Sequence, residues 1–158
     1  MNNTQREPLR RPKCDPWQLT SVTAGLRIFQ MFGSAAVCIF LGWVNAQFTA
    51  SYAVSVYSIA TLIAGICMIA THTASLPATT PGVNWILWEL LYTLSFGFMS
   101  FMQVVILLYS SLRWQHTSWW LATIFAVLTC GAFIIDFKRT SAVFSRNPQI
   151  RYSTEFSE

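Results

Sequence analysis

Four long apolar stretches separated by short polar links set the pattern of this chain. They run over about residues 24–44, 51–71, 85–109 and 119–137, and they are interrupted by few polar side chains: Arg27 in the first, Glu89 and Gln103 in the third, Asp136 at the end of the fourth. Each has about the 20 residues that an α-helix needs to cross a hydrocarbon layer. Membrane β-strands need only about ten residues and alternate apolar with polar positions, which these runs do not. A helix pairs every backbone N–H and C=O within itself, as a medium without water demands. The pattern predicts an all-α, four-helix transmembrane bundle of up-down topology. Residues 1–23, with Pro8, Pro12 and Pro16 among basic side chains, predict a disordered tail, and residues 138–158 predict a second polar tail. The Thr- and Pro-rich stretch 72–84 reads as a loop.

Composition narrows the class. Of 158 residues, 54% are hydrophobic and only 10% charged, against roughly a quarter charged in an average soluble domain. Four spans leave almost no chain for a water-soluble catalytic domain. The net charge of +4 does not point to nucleic acid, because the basic residues form no stripe on a folded surface. Except for Arg113, they flank the first and last spans: Arg6, Arg10, Arg11, Lys13 and Arg27 at one end, Lys138, Arg139, Arg146 and Arg151 at the other. Cytoplasmic flanks are the basic ones in membrane proteins, which places both termini in the cytoplasm. An even number of spans satisfies that placement. Tryptophan gives an independent reading. Trp17, Trp85 and Trp88 fall at the expected inner interface, and Trp43, Trp114, Trp119 and Trp120 at the outer one, as aromatic belts require. No short apolar core with a cleavage site precedes the first span, so that span is expected to serve as its own signal.

The candidate chemistry is sparse. His72 and His116 are expected on opposite sides of the bilayer and cannot share a metal or a haem, and no phosphate-loop, nucleophile-elbow or zinc-protease motif occurs. The expectation is a protein that is not an enzyme, without catalytic residues, metal or cofactor. Arg27, Glu89 and Asp136 each lie within about one turn of the inner end of their helices, so up-down topology puts all three at one depth. An unpaired charge there is costly, and the three are expected to form a structural cluster in which Arg27 contacts Glu89 or Asp136, with Thr93 supplying a hydrogen bond. Small and hydroxylated residues at helical spacing predict close packing: Ser34, Cys38 and Gly42 in the first span, Gly65 with Thr61 in the second, Thr93, Gly97 and Ser100 in the third, and Ala122, Ala126 and Thr129 in the fourth. Cys38, Cys67 and Cys130 read as small apolar groups inside spans. Cys14, in a basic juxtamembrane stretch, is a candidate for S-palmitoylation. Asn2-Asn3-Thr4 matches a glycosylation sequon on the side that glycosylation does not reach, and the Arg139-Thr140-Ser141 and Arg151-Tyr152-Ser153 stretches are candidate phosphorylation sites.

A short chain with four spans, cytoplasmic termini and small links resembles the MARVEL-domain proteins, the group of MAL, plasmolipin, the chemokine-like-factor tetraspan proteins and the membrane parts of occludin and synaptophysin. The likeness is carried by Gly25-Leu26-Arg27-Ile28-Phe29-Gln30 opening the first span, Trp85 to Glu89 opening the third and Gly131-Ala132-Phe133-Ile134-Ile135-Asp136 closing the fourth, and covers about residues 22–140. The resemblance implies a non-enzymatic scaffold in vesicle trafficking, membrane apposition, or the organisation of lipid and protein domains and cell junctions. Its expected partners are the bilayer, with an anionic and cholesterol-rich inner leaflet, other integral membrane proteins and further copies of itself, with no nucleic acid. The plasma membrane or a vesicle membrane is the expected location. A small transporter, channel or channel auxiliary subunit is the alternative.

The charge asymmetry makes one direct prediction. Protease added to intact cells is expected to spare tags at either terminus and to remove a tag placed in the 111–118 link. Cleavage of one terminal tag alone would show an odd number of crossings.

Overall fold

The computed structural model describes residues 22–43, 49–74, 76, 80, 83–114 and 116–146. They form four long helices, α1 (Val22–Trp43), α2 (Thr49–Thr73), α3 (Trp85–Trp114) and α4 (Thr117–Arg146), and no strand occurs among the described residues. All four are long and apolar enough to cross a membrane. The protein is a multi-pass membrane protein built as a helical bundle.

Three helices run past the spans that the hydropathy pattern predicts. α2 extends from Thr49 to Thr73, two residues into the expected loop, α3 continues five residues past 109, and α4 continues from 137 to Arg146. Hydropathy marks where the chain leaves the hydrocarbon, whereas a helix ends only where its hydrogen bonding is broken. Nothing between 138 and 146 breaks it, and the first proline lies at position 148. The first part of the expected polar tail is therefore helical, with Thr140 buried against the bundle. Thr140, in one of the candidate phosphorylation stretches, thus sits on a helix with only 7% of its surface exposed. The 111–118 link likewise shrinks to the residues around His116, since Ser111 is fully buried inside α3. The start of α3 is set locally. Asn84 follows Pro81 and Gly82, and its Oδ1 accepts a hydrogen bond from the Leu87 N–H at 3.1 Å, capping an otherwise open helix end.

The alternating direction of the helices follows from which ends meet. Arg27 near the start of α1, His72 at the end of α2, Glu89 near the start of α3 and Asp136 in the second half of α4 gather at one end. Leu41, Val54, Leu107 and Trp119 pack together at the other. We refer to these as the Arg27 end and the Trp119 end. α4 packs most extensively, on α3 and on α1, and α1 packs on α2. α2 meets α3 only lightly, so α1 and α3 lie across the bundle from each other.

Each helix buries one seam at heptad spacing. In α1 it is Arg27, Gln30, Ser34, Val37 and Leu41, and in α2 Ser51, Val54, Ser58, Thr61 and Gly65. In α4 it is Trp119, Ala122, Ala126, Thr129, Phe133, Asp136 and Thr140. Steps of three and four residues are the pattern of helices packed nearly antiparallel. The expected small-residue groove of α1 fails at one position for the same reason. At 3.6 residues per turn, a run of i+4 steps drifts about 40° per step. Ser34 is buried and Cys38 reaches the Ser55 carbonyl of α2 at 3.9 Å, but Gly42 has rotated outward, and a methyl added there meets nothing within 4 Å. The glycine at the tightest approach is Gly33, where an added Cβ would collide with the Thr129 hydroxyl of α4. Gly65 stands against the Met31 side chain, and Gly97 leaves ordinary contact distance, 3.5 Å, to Phe133.

Gly33→Ala is therefore expected to destabilise the detergent-purified protein by about 1–3 kcal/mol, the usual cost of overpacking. Gly42→Ala should leave its melting temperature unchanged. Adding Thr129→Ala to Gly33→Ala should restore most of the loss, and a double-mutant cycle of thermal melts reads the coupling.

Candidate functional site: a polar node joining four helices

The interior is more polar than the exterior. Large apolar side chains such as Phe32, Ile63, Phe98 and Val127 point outward, while Gln30, Ser58, Thr93, Gln103, Ser111 and Asp136 are buried. In lipid, helices gain nothing from the hydrophobic effect by meeting each other. Packing and interhelical hydrogen bonds hold them instead, each bond contributing about 0.6 kcal/mol on average. Besides the Cys38 contact with the Ser55 carbonyl, two such bonds stand out away from the Arg27 end. Gln103 Nε2 of α3 donates to Ser58 Oγ of α2 at 2.8 Å, and the Ser111 and Thr123 hydroxyls join α3 to α4 at 2.8 Å. Other buried hydroxyls return their protons to the carbonyl one turn back, as Thr61, Ser110 and Thr129 do.

The charged groups converge at the Arg27 end. Arg27, only 2% exposed, extends from α1 across the bundle, and its Nη2 donates to Glu89 Oε1 of α3 at 3.1 Å. His72 of α2 places Nε2 2.6 Å from the same oxygen. That approach is a close polar contact and not an aligned hydrogen bond, because Nε2 has no hydrogen-bond partner. The guanidinium carbon lies 5.7 Å from the centroid of the Tyr92 ring, within cation–π range. Asp136 of α4 is 1% exposed and stands within electrostatic reach of Arg27, Gln30, Glu89 and Arg139. All four helices thus place a polar side chain in one cluster. Several of its atoms are left over: Arg27 Nε, both polar atoms of the Gln30 amide and Asp136 Oδ2 are buried without a hydrogen-bond partner.

Equal depth along the helices brings Arg27, Glu89 and Asp136 to one place, and Arg27 contacts Glu89, the deeper-set of the two carboxylates in the sequence pattern. Thr93 does not support the pair in the expected way. Its hydroxyl donates to the Glu89 and Leu90 carbonyls of its own helix, at 3.0 and 3.1 Å, a bond always within reach of a helical threonine. His72, Gln30 and Tyr92 are members that sequence reasoning missed. Up-down topology sets the end of the second span, and so His72, at the depth of Arg27. Gln30 follows Arg27 by three residues and so shares its helix face. Among the described residues no group of three His, Cys, Asp or Glu side chains is arranged to hold a metal. Trp119 also departs from the belt pattern. It is buried at its end of the bundle, whereas Trp43, Trp88, Trp114 and Trp120 are exposed there and at the opposite end. Cys14, Trp17 and the sequon lie outside the described residues.

Removing one partner of a buried ion pair strands the other, at a cost of about 3–5 kcal/mol in a fully buried setting. Glu89 keeps some exposure, so Glu89→Ala is expected at or below the low end of that range in thermal melts. Exchanging the pair, Arg27→Glu with Glu89→Arg, should recover only part of the loss, because the new arginine faces His72 and the new glutamate faces Asp136. Equal, additive damage with no recovery would show that the two side chains do not act as a pair.

No family model matches the chain, and comparison with curated proteins and with solved structures gives no significant match.

Proposed function

We propose that the protein is a non-enzymatic four-span scaffold that organises membrane lipids and partner proteins, in vesicle trafficking, membrane apposition or a cell-surface specialisation, as its resemblance to MARVEL-domain proteins implies. The observation that carries this reading is the distribution of polarity. Arg27, His72, Glu89 and Asp136 collect in a node that ties the helices together, and the long middle section presents large apolar side chains outward. A surface of that kind contacts lipid and other transmembrane helices. The links between helices are short, so recognition falls to the lipid-facing surface and the two tails. Both tails face the cytoplasm in this reading, and the membrane is the plasma membrane or a vesicle membrane.

One observation favours the second reading, a small transporter or channel subunit. The buried seam is hydroxyl- and amide-rich along much of its length, and Gln30, Ser100 and Asp136 contribute buried atoms without a partner. Polar residues in such a position also line permeation paths.

Purification from cells and reconstitution separate the two. The scaffold reading expects a reproducible set of integral membrane proteins to co-purify, and proteoliposomes to show no saturable ion or solute flux. Flux that Asp136→Asn or Gln30→Leu abolishes, in protein of unchanged melting temperature, would overturn it. Removal of residues 147–158, which spares α4, is expected to leave folding intact and to redistribute the protein among membranes.

A further inference from the structure

A cleft of about 290 Å³ opens at the Arg27 end, between the start of α1, the start of α3 and the last turns of α4. Its lining joins three chemistries. Arg139 supplies a guanidinium and Thr23 and Thr140 supply hydroxyls, Glu89 supplies a carboxylate, and Ile86 and Val143 supply apolar wall. The cleft and the node beneath it carry two formal positive charges, Arg27 and Arg139, and two negative ones, Glu89 and Asp136. Arg139 is exposed yet within electrostatic reach of buried Asp136. Arg27 and His72 contact one oxygen of Glu89, Oε1, while the residue keeps 17% of its side chain accessible beside the cleft.

We propose that this cleft binds the headgroup of a phospholipid carrying a primary ammonium, of the phosphatidylethanolamine class. The placement selects a lipid, because the cleft sits at one end of membrane-spanning helices, the depth of headgroups and of Arg139 and Lys138. The charge pattern selects a zwitterion. A phosphodiester meets the Arg139 guanidinium and the threonine hydroxyls, the donors that suit phosphate oxygens. The ammonium meets Glu89, and the first carbons of an acyl chain lie along Ile86 and Val143. A headgroup with several phosphates or an added carboxylate would bring further negative charge against Glu89. A choline headgroup has the positive charge but no N–H to donate to a carboxylate. The site does not depend on which leaflet the Arg27 end faces, nor on the scaffold reading.

The test is native mass spectrometry of the full chain in detergent, titrated with phosphatidylethanolamine, phosphatidylcholine and phosphatidylglycerol of matched chains. One retained phosphatidylethanolamine is expected, in at least about fivefold preference to the other two. Arg139→Gln should reduce that preference severalfold, and Val143→Trp, which fills the cleft from an exposed position, should abolish it, with melting temperatures checked for both. Thr140→Val, which keeps shape and removes the hydroxyl, should give a smaller loss. Equal retention of the three lipids would mean unspecific annular binding, and stronger retention of phosphatidylglycerol would mean simple attraction to a cation; either overturns the proposal. Glycerophosphoethanolamine, the same headgroup without chains, is expected not to compete at equal concentration. Full competition by it would show a site for a soluble phosphoamine and not for lipid.

Discussion

A guanidinium held almost wholly out of reach of water and lipid has to be compensated within the protein. Arg27 meets this demand by reaching across the bundle to Glu89, lying over the Tyr92 ring and standing within electrostatic reach of Asp136. Compensation fixes geometry as well as charge. α1 and α3 do not pack extensively on each other, so the contact holds only while α4 keeps both at the right separation. His72 then draws the end of α2 to the same carboxylate, on the side where α2 and α3 are otherwise loosely joined. The depth and rotation of all four helices are therefore constrained at one point.

The rest of the bundle obeys the same constraint in weaker form. Since burial of apolar surface gives no preference for protein over lipid, the large aliphatic and aromatic side chains are as well placed outside as inside. What lipid cannot satisfy is turned inward: Gln103 with Ser58, Ser111 with Thr123, and hydroxyls that bond their own helix. Small residues allow the approach these bonds need, most closely where Gly33 meets Thr129. An interior built this way leaves a few polar atoms unpaired, among them atoms of Arg27, Gln30, Ser100 and Asp136. Most of these residues belong to the node. Polarity useful for holding helices together is also polarity available to a ligand, and the cleft above Glu89 lies where such chemistry reaches the membrane surface.

The sequence by itself determined the number of helices, their approximate spans and the common depth of Arg27, Glu89 and Asp136. Those properties depend on the bilayer, which acts on each segment separately and reads only length, hydropathy and order along the chain. Helix ends were legible less well, because Lys138 to Arg146 is polar enough to leave the hydrocarbon yet contains nothing that stops a helix. The tertiary structure alone decided which helices are neighbours, that Gly33 and not Gly42 marks the closest approach, that Trp119 turns inward, and that His72 joins Glu89 while Thr93 bonds its own backbone. Each of these depends on the rotation of one helix about its axis relative to another. Rotation is set by side-chain packing among all four helices at once, and no local pattern of residues encodes it.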